Sequence, residues 1–431
     1  MNTIFKSVIG VALVFGATQW VAPAHAQEVN YNLPSAAQIE ELKQNRQNKA
    51  VAERVGRRIM AAFELYEADD LKGAIAELQE ASAREEFDIA YVNRFLGAFY
   101  AADEQGAKAL DLLTKAVEAD VLGWTDQAAA MKLLADLNLQ EENYQNAIKY
   151  YGRWLQFTGE ANPDVFLRIA NAYYELKQFD KIIRPADLAL QAYDEPNKNP
   201  YVLKVASYYE RDMFAEAIEV LEAGLNQIPT EKVWWVQLAN FYMIEEQIAK
   251  GLQTIEIAYL AGYLSSENHY RILIQLYGNS EIPYKSAMLM ARHFESGDVE
   301  KTELNARSAA TSYEAAREFF SAAKWYGVAA ELSESAVDRA KNLQRQGTAL
   351  IRAERYEEAA VVYNRALEAG LEQDDEGKVY MSLAEAHLYS NKYQDAIAAA
   401  RKASEYEDQR RGARSWIGYI QNVAQRRGVS L

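Results

Sequence analysis

A small or apolar residue returns at a nearly constant interval through almost the whole chain. Successive markers are 34 to 38 residues apart, and each has the same place in a pattern of two amphipathic helices. A repeat of about 34 residues with two helices cannot bury its apolar face alone, so each repeat must stack on the next. This rhythm predicts an all-α array of about ten helix–turn–helix repeats. The markers are Ala74, Ala109, Ala147, Ile182, Ala217, Gly251, Ala287, Ala323, Ala359 and Ala396.

Two other positions follow the same rhythm. The residue twelve before the marker is Ala or Gly in seven repeats, including Gly97 and Gly347, and the residue three before it is aromatic in seven. Small residues on facing helices allow the helices to approach closely without voids. We therefore expect tightly packed helix pairs.

The repeats resemble the tetratricopeptide repeat family over nearly the whole chain. The clearest repeat runs from Val165 to Ala189, and the repeat from Trp235 to Ala258 matches it closely. The resemblance implies a tetratricopeptide superhelical solenoid in which the first helix of each pair lines an inner groove for protein partners. The residues that carry it in the clearest repeat are Phe166, Ile169, Ala170, Tyr173, Phe179, Ile182 and Ala189.

The resemblance also indicates which positions on first helices should face a partner. In such a groove, tyrosine and methionine offer apolar contact and asparagine offers directional hydrogen bonds without charge. The alternative for the tyrosines is that they pack between repeats. The predicted groove residues are Leu167, Asn171, Tyr174, Tyr208, Tyr209, Val236, Asn240 and Met243.

The first 26 residues have the layout of a cleavable secretory signal. Lys6 is followed by an apolar stretch and then by Ala24-His25-Ala26, a typical cleavage site. We expect the mature chain to start near Gln27 and to reside in the periplasm of a Gram-negative bacterium; retention of the segment as an anchor is the alternative. Since the chain has no cysteine, packing alone must hold it together.

Charge and motifs exclude several classes of function. Once Lys6 is removed with the signal segment, the chain has 45 basic and 62 acidic residues. This acidic excess disfavours nucleic acid or anionic lipid as the main partner. The sequence has no phosphate-binding glycine loop, HExxH pair or GxSxG motif. His269, His293 and His387 lie in different repeats or helical phases. We therefore predict no catalytic residues, no cofactor and no metal site.

The ends of the chain differ from the repeats. Residues 27–50 form a polar leader in which Ser35 and Gln38 predict a capping box, and we expect it to pack partly on the first repeat or to meet a partner. Residues 410–431 form a basic tail with a capping helix, whose alternative is a helix that docks a partner. Its apolar face is formed by Trp416, Ile417, Ile420 and Val423.

Between these ends we expect a lobe of about seven repeats at 51–295 and one of about three at 301–409. The division rests on Gly278 to Pro283, which should lengthen one turn, and on Ser296-Gly297-Asp298, which precedes a weakly apolar helix. One uninterrupted array is the alternative.

The chain as a whole looks like the periplasmic tetratricopeptide proteins that accompany some TonB–ExbB–ExbD energy-transducing systems. This resemblance implies a non-enzymatic adaptor with TonB, ExbB or ExbD as partners and peripheral association with an inner-membrane complex. It also implies a role in iron-siderophore or haem uptake. The alternative is an accessory module for envelope biogenesis or polysaccharide export, which would use the same groove.

Overall fold

The computed structural model describes residues 28–46 and 49–431, and the predicted signal segment 1–26 lies outside them. All regular structure in the described residues is helical, which confirms the all-α prediction. These residues divide into two compact units, the first ending at Arg211 and the second beginning at Asp212. The predicted lobes 51–295 and 301–409 stay a prediction. Among the described helices, none has the length and apolarity to cross a bilayer.

The first unit contains the leader helix α1, four helix pairs (α2 with α3, α4 with α5, α6 with α7, α8 with α9) and α10. A short 3-10 turn, Phe179–Ile182, directly precedes α9. The bounds are α1 (Ala36–Asn45), α2 (Glu53–Glu67), α3 (Leu71–Gln79), α4 (Glu86–Ala102), α5 (Gly106–Ala119), α6 (Trp124–Gln140), α7 (Tyr144–Thr158), α8 (Pro163–Glu175), α9 (Ile183–Ala192) and α10 (Lys198–Glu210).

The second unit begins with α11 and continues with five pairs, from α12 with α13 to α20 with α21, followed by α22. The bounds are α11 (Phe214–Gln227), α12 (Lys232–Ile244), α13 (Ile248–Leu260), α14 (Glu267–Asn279), α15 (Pro283–Ser296), α16 (Glu303–Ala315), α17 (Phe319–Leu332), α18 (Ala336–Arg352), α19 (Tyr356–Ala369), α20 (Gln373–Tyr389), α21 (Tyr393–Ala403) and α22 (Arg410–Arg426).

The last helix, α22, covers the end of the second unit. It packs on α21, and Ile420 and Ala424 are completely buried in the core of the unit. Trp416, Ile417 and Val423 lie against the same core. This arrangement confirms the predicted capping helix and its apolar face.

The turn inside each of the nine pairs that lie within one unit is the same. It has three residues, and the middle residue is left-handed although it is not glycine. The next backbone N–H then donates to a carbonyl five residues earlier, as in a Schellman motif. These turns satisfy carbonyls that the end of the first helix would leave free. The left-handed residues are Asp69, Glu104, Glu142, Lys177, Glu246, Glu281, Arg317, Glu354 and Asn391.

The turns correct two expectations from the sequence. The turn at 280–282 has the same three residues as the others, so Gly278 to Pro283 does not lengthen it. Counting from Glu281 and Arg317, the residues equivalent to the other markers are Ser286 and Ala322, one position earlier than predicted. At both places two adjacent residues, Ser286 with Ala287 and Ala322 with Ala323, are small and buried. The sequence period alone could not show which of the two is the marker.

Glycines at the predicted small positions bring paired helices into direct contact. A Cβ added to Gly97 would lie 2.7 Å from Leu113 Cγ, and one added to Gly347 would lie 2.6 Å from Tyr363 Cε1. Both distances are shorter than the 3.5–4.0 Å at which carbon atoms normally pack. The close packing that the sequence predicts is therefore present in both units.

Candidate functional site

The first helices of the first unit form an apolar pocket of about 250 Å³. Its walls come from α2, α4 and α6, the first helices of three successive pairs, so it lies on the surface where the sequence predicts partner binding. A concave, largely apolar site with few polar groups is the usual form of a binding pocket. The lining residues are Phe63, Tyr66, Arg94, Phe95, Ala98, Phe99, Ala102, Ala129, Ala130 and Leu133.

Aromatic rings hold the pocket walls in place. Phe63 contacts Phe95 edge to face at a centroid distance of 5.0 Å, and Tyr66 stacks on Phe99 at the same distance. The Arg94 guanidinium lies 4.6 Å from the Phe95 ring centre. Tyr66 is 44% exposed and therefore presents part of its ring to solvent. Rigid aromatic rings of this kind are frequent anchors in protein interfaces.

Ion pairs join the same first helices beside the pocket. Arg94 on α4 pairs with Asp126 on α6 at 2.5 Å, and Arg168 on α8 pairs with Asp136 on α6. Asp136 also accepts a hydrogen bond from the Tyr151 hydroxyl. Burial, followed by this hydrogen bond, raises the pKa of Tyr151. These contacts fix the spacing of α4, α6 and α8.

The predicted groove residues of the first unit lie on α8 and α10. Asn171 is exposed and makes no hydrogen bond to another described residue, so its amide is available to a partner. Leu167 is half-buried against the core, and Tyr174 packs on Phe179 at 5.8 Å. Burial raises the pKa of Tyr174. These two side chains contribute to packing as well as to the surface.

The two tyrosines on α10 are half-buried. Arg211 lies over the Tyr208 ring at 5.0 Å, and Tyr209 also has a contact partner. The Arg211 contact is local to the end of α10, so the groove assignment of these tyrosines and its alternative, packing between repeats, both stay predictions.

The predicted residues of the second unit lie on α12. Val236 is only 6% exposed and belongs to the core, so it offers little surface to a partner. Met243 is half-buried, with its Cγ 3.7 Å from where a Cβ on Gly251 would lie. Asn240 is half-buried and has no hydrogen bond to the described part of the chain. Of the three, Asn240 is the best placed to bind.

His293 on α15 contacts side chains of both α13 and α14. Its Nδ1 is 2.9 Å from Asp298 Oδ2, its Nε2 is 3.1 Å from the Tyr259 hydroxyl, and its ring stacks on Tyr270 at 4.2 Å. Hydrogen bonds from Ser296 and His293 lower the pKa of Asp298. Since both ring nitrogens are engaged, His293 joins helices rather than offering a ligand atom.

The described residues contain no group of three or more His, Cys, Asp or Glu side chains arranged to hold a metal ion. His269 and His387 are half-buried, and burial lowers the pKa of each imidazole. Sequence reasoning did not identify the aromatic pocket, although Phe63, Phe95 and Phe99 follow helical spacing on neighbouring first helices.

Comparison with known proteins gives only distant similarities. No protein-family model and no curated protein matches the chain. A tetratricopeptide repeat protein from Parabacteroides merdae is 15% identical, with a TM-score of 0.35 over 61% of this chain and 99% of that one. The C-terminal part of a TPR repeat-containing protein from Cytophaga hutchinsonii is 14% identical, with a TM-score of 0.37 over 62% and 97%. A MamA protein is 19% identical, with a TM-score of 0.35 over 41% and 92%.

The helix pairs themselves define the fold. Two helices per repeat of about 34 residues, small residues at the helix contacts and a capping helix are the features of a tetratricopeptide array. The chain has an all-α tetratricopeptide-repeat fold. Fold alone does not identify a partner, so function has to be argued from the surface.

Proposed function

We propose that the chain is a non-enzymatic scaffold that binds segments of partner proteins on the first helices of its pairs. The aromatic pocket of α2, α4 and α6 is the observation that carries this proposal, since it is apolar, partly open and held by packed rings. A pocket of this size accepts one large apolar side chain. Asn171, further along the same series of first helices, has a free amide to bind a partner backbone.

We propose further that the scaffold acts in the periplasm as an adaptor of a TonB–ExbB–ExbD system and supports iron-siderophore or haem uptake. The signal-like layout of residues 1–26, the absence of cysteine and the net charge of −16 support this proposal, together with the resemblance described above. Acidic proteins bind nucleic acid poorly, so a protein partner is favoured.

The pocket is tested by Tyr66→Ala in the full chain. Tyr66 is 44% exposed and stacks on Phe99, so its loss should lower stability by about 1 kcal/mol while removing one wall of the pocket. We expect at least tenfold weaker binding of the partner, measured with the immobilised chain. Tyr419→Ala on α22 is the matched control, because Tyr419 is 58% exposed and far from α2 in sequence. Equal binding by wild type and Tyr66→Ala would refute the pocket.

The proposed binding of a partner by the Asn171 and Asn240 amides is tested with the double variant Asn171→Ala, Asn240→Ala. We expect weaker partner capture with unchanged helicity, because neither amide bonds to the described residues. Loss of helicity in the double variant would instead assign these residues to packing.

The partner is tested by capture from periplasm plus inner membrane, with peptides identified by mass spectrometry and Tyr66→Ala run in parallel. TonB or ExbD peptides that are lost with Tyr66→Ala support the adaptor. Subunits of a glycan synthase or of an outer-membrane assembly machine would favour the alternative role in envelope biogenesis or polysaccharide export.

A further inference from the structure

The leader, residues 28–46, does not pack on the first helix pair. It lies instead across the third and fourth pairs, where Val29 contacts Gly152 on α7 and Tyr31 contacts Phe166 on α8. The predicted capping box is confirmed, since Gln38 N–H donates to Ser35 Oγ and Ser35 N–H donates to Gln38 Oε1. The sequence could not indicate this location, because the contacts join residues more than 100 positions apart.

The first part of the leader binds as an extended peptide. Val29, Tyr31 and Leu33 are partly buried against the core of the first unit, while Asn30 and Asn32 between them are exposed. Alternation of this kind is that of an extended chain with one face inward.

A single side chain holds the backbone of this segment. Gln156 Nε2 donates to the carbonyls of Asn30 at 2.8 Å and Asn32 at 3.2 Å. Gln156 Oε1 also accepts a hydrogen bond from the outward Asn30 side chain at 3.3 Å. Two of the three bonds therefore go to the backbone and do not depend on side-chain identity.

The absence of a side chain at Gly152 leaves space for the inward-facing Val29. A Cβ at Gly152 would lie in van der Waals contact with Val29, 3.4 Å from its Cγ1, so the atoms of a larger side chain such as leucine would compete with Val29 for the same space. The face therefore selects for backbone contact and for apolar side chains at alternate positions.

The second part of the leader, α1, rests at the edge of this face. Ile39 lies against Gly159, where a Cβ would be only 2.7 Å from Ile39 Cγ1. Arg46 donates to the Leu122 carbonyl at 2.6 Å and pairs with Asp120 at 2.8 Å. These contacts hold α1 in place, whereas the Gln156 side chain holds the backbone of the extended part.

The leader fills the face incompletely. A cavity of about 500 Å³ remains between the leader and α7, bordered by Val29, Leu42, Ile148 and Gly152 among others. The Tyr31 hydroxyl is buried beside Tyr173 but makes no hydrogen bond of normal geometry with a described residue. A buried polar group without a hydrogen bond weakens binding, so a better-fitting segment could replace the leader.

We propose that this face of α7 and α8 is a docking site for an extended segment of another polypeptide, with apolar side chains at alternate positions and an aromatic ring at the centre. The leader occupies the site until such a segment displaces it. The proposal does not depend on the first-helix pocket, whose residues lie on α2, α4 and α6.

The experiment uses the full chain and a fluorescein-labelled peptide with the sequence of residues 28–46 as the probe. In wild type the leader competes with the probe, so we expect weak binding by fluorescence anisotropy. The variant Val29→Asp with Leu33→Asp weakens its own leader, so we expect it to bind the probe at least tenfold more tightly. Adding Gly152→Leu should abolish this binding, and a probe with Tyr31 replaced by Phe should bind several-fold more tightly.

The matched control is Asn32→Asp with Gln44→Asp, which adds the same charge to the leader at exposed positions and should bind the probe like wild type. Circular dichroism checks that each variant keeps its helices. Gln156→Ala, a milder change than Gly152→Leu, should also weaken binding of the probe. Equal affinity of wild type and Val29→Asp with Leu33→Asp, or binding that survives Gly152→Leu, overturns the proposal. Dimerisation of wild type that the double substitution abolishes would also overturn it, since the occupant would then be the leader of a second copy.

Discussion

Gly347→Ala should destabilise the second unit, although the same change normally stabilises a helix. Replacing glycine by alanine inside a helix gains about 0.5–1 kcal/mol. At Gly347, however, the new Cβ would lie 2.6 Å from Cε1 of Tyr363, whose side chain is 1% exposed. The ring has no solvent to move into, so the contact can be relieved only by shifting packed atoms.

The two effects can be compared from the structure. Carbon atoms pack at 3.5–4.0 Å, so the ring and the helix must separate by about 1 Å. Overpacking of this kind costs about 1–3 kcal/mol, more than the gain in helix propensity. Subtracting the gain from the cost gives a net loss of about 0–2.5 kcal/mol, and we expect a value of about 1 kcal/mol. The hydroxyl contact between Tyr363 and Thr348, at 3.2 Å, should also weaken.

Gly418 on α22 provides the matched control. Nothing lies within 4 Å of the position that a Cβ would take there, so Gly418→Ala should stabilise by about 0.5–1 kcal/mol. Urea unfolding followed by circular dichroism measures both variants. Because repeat arrays can unfold in parts, hydrogen exchange of α18 and α19 should localise the loss. A Gly347→Ala variant that is stabilised as much as Gly418→Ala would refute the packing argument.

Two other predictions concern backbone strain and pH. Arg317 is exposed, and its backbone is left-handed with φ of 62°, a conformation that costs energy for any residue with a Cβ. Arg317→Gly should therefore raise the free energy of unfolding by about 0.5–1 kcal/mol, and Arg317→Val should lower it. Equal urea midpoints for the two variants would contradict this prediction. Burial lowers the pKa values of His269 and His387, so the unfolded chain binds protons more tightly than the folded chain does. The free energy of unfolding therefore falls as the pH drops below about 6.5, the usual pKa of histidine. His269→Gln with His387→Gln should therefore show a smaller drop in melting temperature between about pH 7.5 and 5.5 than wild type, and an equal drop would contradict the assignment.

The sequence predicts the periodic part of the fold well because the same physical requirement recurs in every repeat. Gly97 and Gly347 are recognisable as small residues because each must admit a facing side chain. The capping box at Ser35 is predictable because it involves residues only three apart. Such features depend on local spacing, which one sequence displays directly.

Features that depend on a unique contact could not be predicted in the same way. Val236 has the helical phase of a groove residue, but its side chain is buried in the core of its unit. The leader's contact with Gly152 joins two segments with no shared pattern. The aromatic pocket combines residues of three repeats, none of which occupies a marker position.

The difference between turns and connections explains why the candidate site escapes the periodic pattern. Turns within a pair all have three residues and one left-handed residue, so the geometry of each pair is nearly constant. Connections between pairs vary from three to six residues, as at 333–335 and 80–85. The pocket spans α2, α4 and α6, so the connections 80–85 and 120–123 set its width. If the pocket binds a partner as proposed, its specificity depends on the segments that do not repeat, and we expect changes in their length to alter binding before they alter the helix pairs.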